Sequence, residues 1–301
     1  MYFDIQKIII TLDTINTVYF SKGNTNVLIK SLQPTFLESG PVKVPTQFNP
    51  SLSKVEKLLI NVKNKLNYLL AHPPTEVNLQ FLAQLNTQLL NQVKPAWEIG
   101  LRNTSKPYTP VLDTFAPLRI KNLQQPSLTT LYIYIWQHLI YLLGLYPLKA
   151  ANLLTIYLAF SPLFMKLYSI NLRTTAELIK SLTKVHKQLL SQEFGDVEYA
   201  TEVVLNKLVQ ELTRLVSQKE EKIQRRKKAI KQLPQDLQQI LRLLKREKGP
   251  LPKRFFAQEL GVTPITAYRK LKKLEELKLI KAINQGRRTR YKLSTKAEVL
   301  V

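Results

Sequence analysis

Between positions 263 and 273 the sequence reads Thr-Pro-Ile-Thr-Ala-Tyr-Arg-Lys-Leu-Lys-Lys, a set of side chains with the chemistry of a surface that reads nucleic acid. Carried by a helix into the major groove of B-DNA, Arg or Lys can bond guanine, and Thr or Ile can touch a thymine methyl. Thr263 has the side chain of an N-cap, and Pro264 stands where a first helical residue needs no donor, so the run predicts a helix starting there. Ala267, Leu271, Leu274 and Leu277 define its inward face. Thr263, Ile265, Thr266, Tyr268, Arg269, Lys270, Lys272 and Lys273 are left to face outward. On this reading Thr266, Tyr268 and Arg269 read bases, while Lys270 and Lys273 hold phosphates.

More cations flank this helix. Ile280 to Ile283 and Arg290 to Leu293 are strand candidates joined by NQGRRTR, with Gly286 in the turn. Arg287, Arg288 and Arg290 then form a cationic tip suited to straddling phosphates or entering the minor groove. Upstream, KIQRRKKAIK contributes Arg225, Arg226, Lys227 and Lys228 as further phosphate contacts.

Other chemistries lack their residues. The chain has no Cys, which removes disulfides, thiolate metal clusters and cysteine nucleophiles, and fits a reducing cytoplasm. His72, His138 and His186 stand far apart, without a second ligand at metal-site spacing. Glycines at 23, 40, 100, 144, 195, 249, 261 and 286 form neither of the standard phosphate-cradling loops. The expectation is a non-enzymatic protein that binds no cofactor and no metal, with His138 a hydrogen-bonded core residue.

The charge is unevenly spread. Of a formal +24, residues 1–200 hold 19 basic and 11 acidic side chains, while residues 201–301 hold 26 and 10. Such a field favours a polyanion, nucleic acid or an anionic membrane surface, because each cation meeting a phosphate releases a counterion. Generic lysine enrichment would not concentrate the surplus in one segment.

The elements that must position the cations follow from local signals. After Leu233 and Pro234 a helix buries Leu237, Ile240, Leu241 and Leu244 and ends at Lys248, Gly249 and Pro250, a C-terminal glycine followed by proline. A short helix carries Phe255, Phe256 and Leu260, Gly261 and Val262 make a tight turn, and the cation-bearing helix follows. The run FAQELGVTPITAYRKLKKLEELKLI, with Ala267 inside the helix, Arg269 two positions on and a L-x-x-L-x-x-L-x-L-I ending, resembles winged helix-turn-helix regulators of the MarR type. The resemblance covers residues 233–294 and implies binding to double-stranded DNA. Winged helices that contact only proteins also exist; cations on both recognition face and wing favour DNA.

Residues 197–231 read as one long helix in which Val209, Val216, Ile223 and Ile230 recur every seven positions. Leu205 and Leu212 fill the alternate seam before Lys219 and Arg226 replace them. The helix serves either as a homodimer seam or spacer, or as an amphipathic helix docked on its own domain. Further upstream, residues 1–20 contain Asp4 and Asp13 and no basic region with a small-residue cleavage site, so they belong to the folded protein. Residues 21–52 read as loops with a short strand pair. Helices are predicted from Ser51 to the stop at His72, Pro73 and Pro74, and over about 77 to 93, followed by an irregular connection marked by Pro95, Pro107, Pro110, Pro117 and Pro126. Residues 128–165 form an apolar helical hairpin, interrupted at Ser161 and Pro162. It is either buried in the domain or inserted in a membrane.

The expected architecture is mainly α: a helical domain over 1–196, a basic linker helix over 197–232, and a winged helix with a small β-hairpin wing over 233–301. The expected role is site-specific DNA binding in transcriptional regulation, in the cytoplasm at the nucleoid. The alternatives are a plasmid or viral replication or partition protein, a membrane-tethered DNA-binding protein, and a dead scaffold. The last follows from the order of domains, which is similar to some Fic-domain proteins; their H-x-F-x-x-G-N-G-R motif is absent, and GLYPLKAANL stands near its place. That resemblance implies no retained adenylyl transfer.

Overall fold

The computed structural model describes residues 2–20, 25–33, 45, 47, 49, 51–74, 76–102, 118–119, 135–140, 142–143, 147–189, 197–285, 288–298 and 300–301. By its internal contacts the chain divides into two units. One is Met1–Thr14 with Lys22–Arg214, the other Ile15–Ser21 with Leu215–Val301. The division falls within the first helix, α1 (Tyr2–Tyr19), and within the long helix over Val197–Lys231.

The larger unit is built from helices that each bury one apolar stripe. Leu28, Ile29 and Leu32 are fully buried on α2 (Thr25–Leu32), where the sequence had suggested a strand pair. The Pro- and Gly-rich composition pointed away from a helix there, but between Gly23 and Pro34 the chain holds neither glycine nor proline; residues 34–44 lie outside the described residues. α3 (Lys54–Ala71) opens on a capping box: Glu56 N donates to Ser53 Oγ at 3.3 Å and Ser53 N donates to Glu56 Oε2 at 3.0 Å. It stops at His72, as its prolines predict.

Val77, expected inside the next helix, instead pairs with Leu118, in the short strands β1 (Glu76–Val77) and β2 (Leu118–Arg119). Asn78 causes the shift: its Oδ1 accepts from Phe81 N at 2.7 Å and starts α4 (Leu79–Leu90) two residues later than expected. Of the proline-marked connection beyond it, residues 103–117 and 120–134 lie outside the described residues.

The apolar hairpin is only partly described. Residues 135–140 and 142–143 are helical, and residues 131–134 and 144–146 lie outside the description. Its second arm, α5 (Asn152–Tyr168), runs through Ser161 and Pro162 rather than stopping there. Every residue from Leu154 to Phe164 is buried, so packing on all sides offsets the bond that Pro162 removes. No helix among the described residues is long and apolar enough to cross a membrane.

α5 packs on α2, α3, α4 and α6 (Leu172–Leu189). Several polar groups inside the unit are matched. Asn86 donates to Ala150 O and Thr155 Oγ1 at 2.9 and 3.1 Å, while accepting from Gly100 N at 3.1 Å. Asp13 accepts from Asn171 N and Thr174 Oγ1 at the start of α6. His138 is a core residue, its Nε2 3.0 Å from Val77 O, and burial pushes its pKa down.

The long helix is α7 (Val197–Lys231). Within the larger unit its Leu205, Leu208 and Leu212 have no exposed surface. Within the smaller unit, Ile223 and Lys219 are buried. Lys219 occupies a heptad seam position because its ammonium reaches Asn16 Oδ1 at 2.6 Å and lies 4.4 Å from the Phe20 ring centroid.

The rest of the smaller unit is a helical cluster with a three-stranded antiparallel sheet. Its elements are α8 (Gln235–Glu247), β3 (Leu251–Pro252), α9 (Lys253–Glu259), α10 (Pro264–Glu276), β4 (Ile280–Gln285), β5 (Arg288–Leu293) and α11 (Thr295–Glu298). Strand order is β3-β5-β4, which adds an edge strand to the expected hairpin. Pro252 is tolerated because it lies on that edge. Leu237, Ile240, Leu241, Leu244, Phe256, Ala267, Leu271, Leu274, Ile280, Tyr291 and Leu293 close one core. The left-handed residue ending α8 is Lys248 (φ 51), one position before the glycine expected to end it.

Candidate nucleic-acid interface

The turn before α10 is fixed by backbone bonds. Leu260 N donates to Phe256 O at 3.0 Å, Gly261 N to Gln258 O at 3.2 Å and Val262 N to Ala257 O at 3.0 Å. Gly261 adopts φ 63, a conformation glycine enters without a Cβ penalty. Thr263 then caps α10, its Oγ1 accepting from Thr266 N at 3.2 Å. The two threonine hydroxyls also bond each other at 3.0 Å, so Thr263 and Thr266 act first as a cap. Pro264 takes the first helical position.

Helical spacing and burial together define what α10 offers to solvent. Ala267, Leu271 and Leu274 are fully buried. Opposite them, Ile265, Arg269, Lys272 and Lys273 recur at intervals of three and four, all exposed, with Ile265 at 67%. Among the described residues Arg269, Lys272 and Lys273 make no ion pair, so their charge faces solvent. Lys272 was outward in the sequence but not assigned a contact; the four-residue step from Arg269 to Lys273 hides its equal exposure.

Three expected positions on or beside this helix are corrected. Leu277 is not on the inward face: it is the C-cap residue and is 49% exposed, because the helix has ended before its turn would face the core. Lys270 is half-buried and its ammonium is bonded to the Asp236 carboxylate of α8, so it lies on the flank of α10 and not among the free cations. Arg290 is not at the wing tip. The strands run on to the pair Gln285 and Arg288, and Arg290 sits inside β5, half-buried between Ile283 and Pro252.

Gly286 and Arg287, at the hairpin turn, lie outside the described residues, as does the Arg288 side chain. Tyr268 is 44% exposed. Burial first, then the neighbouring Tyr268 and Glu275, push the Tyr291 hydroxyl pKa up.

Alternation along the strands sorts the wing into two faces. Ile280, Tyr291 and Leu293 are buried, whereas Lys281 and Lys292, paired directly across the ladder, are both exposed. These two lysines were missed in the sequence. The alternation Arg-Tyr-Lys-Leu at 290–293, with Tyr and Leu inward, carried the signal.

The basic run at the end of α7 does not form one face. Arg225 and Lys228 are exposed, and Arg225 pairs with Glu221 at 3.1 Å. Arg226 and Lys227 are half-buried, with the Lys227 ammonium 5.6 Å from the Tyr19 ring centroid.

Residues 236–286 match a family model described as an HTH domain. The match opens in α8 and ends at the wing turn, so it covers the three helices and β4. No curated protein matches the chain. Sequence match and geometry agree on a helix-turn-helix DNA-binding segment carried by a mainly α chain with a small wing.

Proposed function

We propose that the protein binds double-stranded DNA at specific sites and acts as a transcriptional regulator, without catalysing a reaction. The observation that carries this reading is the outward stripe of α10. Ile265 and Arg269 supply one apolar and one bidentate contact of the kinds that distinguish base pairs in the major groove. Lys272 and Lys273 beside them supply phosphate contacts that set register. Lys281 and Lys292 extend the positive surface onto the wing. The finer likeness to MarR-type regulators rests on the same run of residues.

The long helix fits the reading of an amphipathic helix docked on its own chain better than a dimer seam or spacer. Its seam residues Leu205, Leu212 and Ile223 are already buried by this chain, and Val209, Val216 and Ile230 are half-buried. Selection of duplexes from a random pool by the full-length chain tests the proposal. Enrichment of one motif, with affinity that falls steeply as salt rises, is expected. Equal retention of all duplexes, or none at low salt, overturns it. Footprinting then separates regulation from replication: protection at a promoter supports the reading, and protection of iterated repeats at an origin replaces it.

A further inference from the structure

A cleft of about 270 Å³ opens on the smaller unit, and Ile265, Arg269, Lys272 and Lys273 are not among its lining residues. Ile230 and Leu233, at and just beyond the end of α7, form one wall, and Leu277 and Leu279 form another. Ala229, Ala297 and Leu300 complete the apolar lining. The cleft exists because α10 ends abruptly. Lys278 takes φ 58, its N–H donates to Glu275 O at 2.8 Å, and the chain swings into β4, leaving Leu277 49% exposed.

Two cations, Arg226 and Lys278, also line this apolar space, and no carboxylate does. Neither makes an ion pair among the described residues. An apolar lining stabilises a hydrocarbon tail, and cations beside low-polarity walls bond an anionic head more strongly than they would in open water. The volume lies just below the range of small-molecule sites, about 300–1,000 Å³. We propose that this cleft binds a small amphipathic anion of the medium-chain carboxylate type, its chain among Leu233, Leu277 and Leu279 and its carboxylate on Arg226 and Lys278. The assignment does not depend on the DNA-binding reading.

Isothermal titration of the full chain with octanoate, in the absence of DNA, tests it, with neutral octanol as the comparison ligand. Saturable binding at one molecule per chain is expected, with octanol at least tenfold weaker. Combining Arg226→Gln with Lys278→Gln should lower octanoate affinity at least tenfold and leave octanol unchanged. Leu277→Glu, at a half-exposed position that the fold tolerates, should abolish binding while far-UV circular dichroism stays unchanged. Absence of saturation, octanol binding as well as octanoate, or undiminished binding by Leu277→Glu overturns the proposal. So does a fall in oligomeric state on Leu277→Glu with octanoate inert, which would assign the cleft to a second copy of the chain.

Discussion

The ammonium of Lys270, on α10, is bonded to the carboxylate of Asp236 in the first turn of α8. Both side chains are partly buried, so the pair fastens the flank of the recognition helix to the helix behind it. Lys270 is thereby a structural cation amid solvent-facing ones. Lys270→Ala should lower stability by roughly 1 kcal/mol or less, the range of partly exposed ion pairs. DNA affinity at fixed salt should change little. Urea unfolding and duplex titration on the same variant check both halves, and a large affinity loss with unchanged stability would return Lys270 to the phosphate contacts.

Arg269 and Lys292 should fail in different ways. Arg269 lies in the middle of the exposed stripe, so Arg269→Ala should cost about 1–3 kcal/mol of discrimination between the selected site and a mutated one. Lys292 lies on the outer face of the sheet, so Lys292→Ala should weaken all duplexes nearly equally and reduce the magnitude of the salt slope by about one. Titrating each variant against matched and mismatched duplexes at several salt concentrations separates the two patterns.

The helix-turn-helix was legible because its signals are local. The Thr263 cap, Pro264, the Gly261 turn and the spacing of Ala267, Leu271 and Leu274 all act within a few residues, and each falls where the sequence put it. Positions decided by distant partners were not. Lys270 looks like its neighbours until Asp236 is brought beside it, and Lys219 looks like a broken heptad until Asn16 and Phe20 receive it. Leu277 fits the helical period but meets solvent because Lys278 reverses the backbone hand. Arg290 was placed by assumed strand length, which only the ladder with β3 and β4 determines.

The turn itself makes a stability prediction. A Cβ added at Gly261 would meet no atom within 4 Å, so a substitution there costs backbone conformation alone. Gly261→Ala should destabilise the smaller unit by about 1–2 kcal/mol, the cost of holding an L-residue in the left-handed region. Leu271→Ala, which empties a fully buried position, should cost more, about 2–5 kcal/mol. Urea titrations of the two variants side by side check the order, and a Gly261→Ala cost equal to that of Leu271→Ala would mean that the turn packs more tightly than its open surroundings show.

His138 makes stability depend on pH in a defined direction. Its ring is buried against Phe160 and donates to Val77 O, and burial holds its pKa below the ordinary value of 6.5. The folded state therefore resists protonation that the unfolded chain accepts, and stability rises with pH wherever the unfolded state holds more protons. The stabilisation is complete above about 6.5 and is lost progressively as pH falls below that value toward the folded pKa. His186, whose pKa burial also lowers, adds to the same slope. Melting temperatures measured from pH 7.5 to 5 should fall, and His138→Gln, which does not titrate there, should flatten part of the decline. A slope unchanged by His138→Gln would show that the folded state takes up this proton over the same range as the unfolded chain, so that burial does not hold His138 neutral.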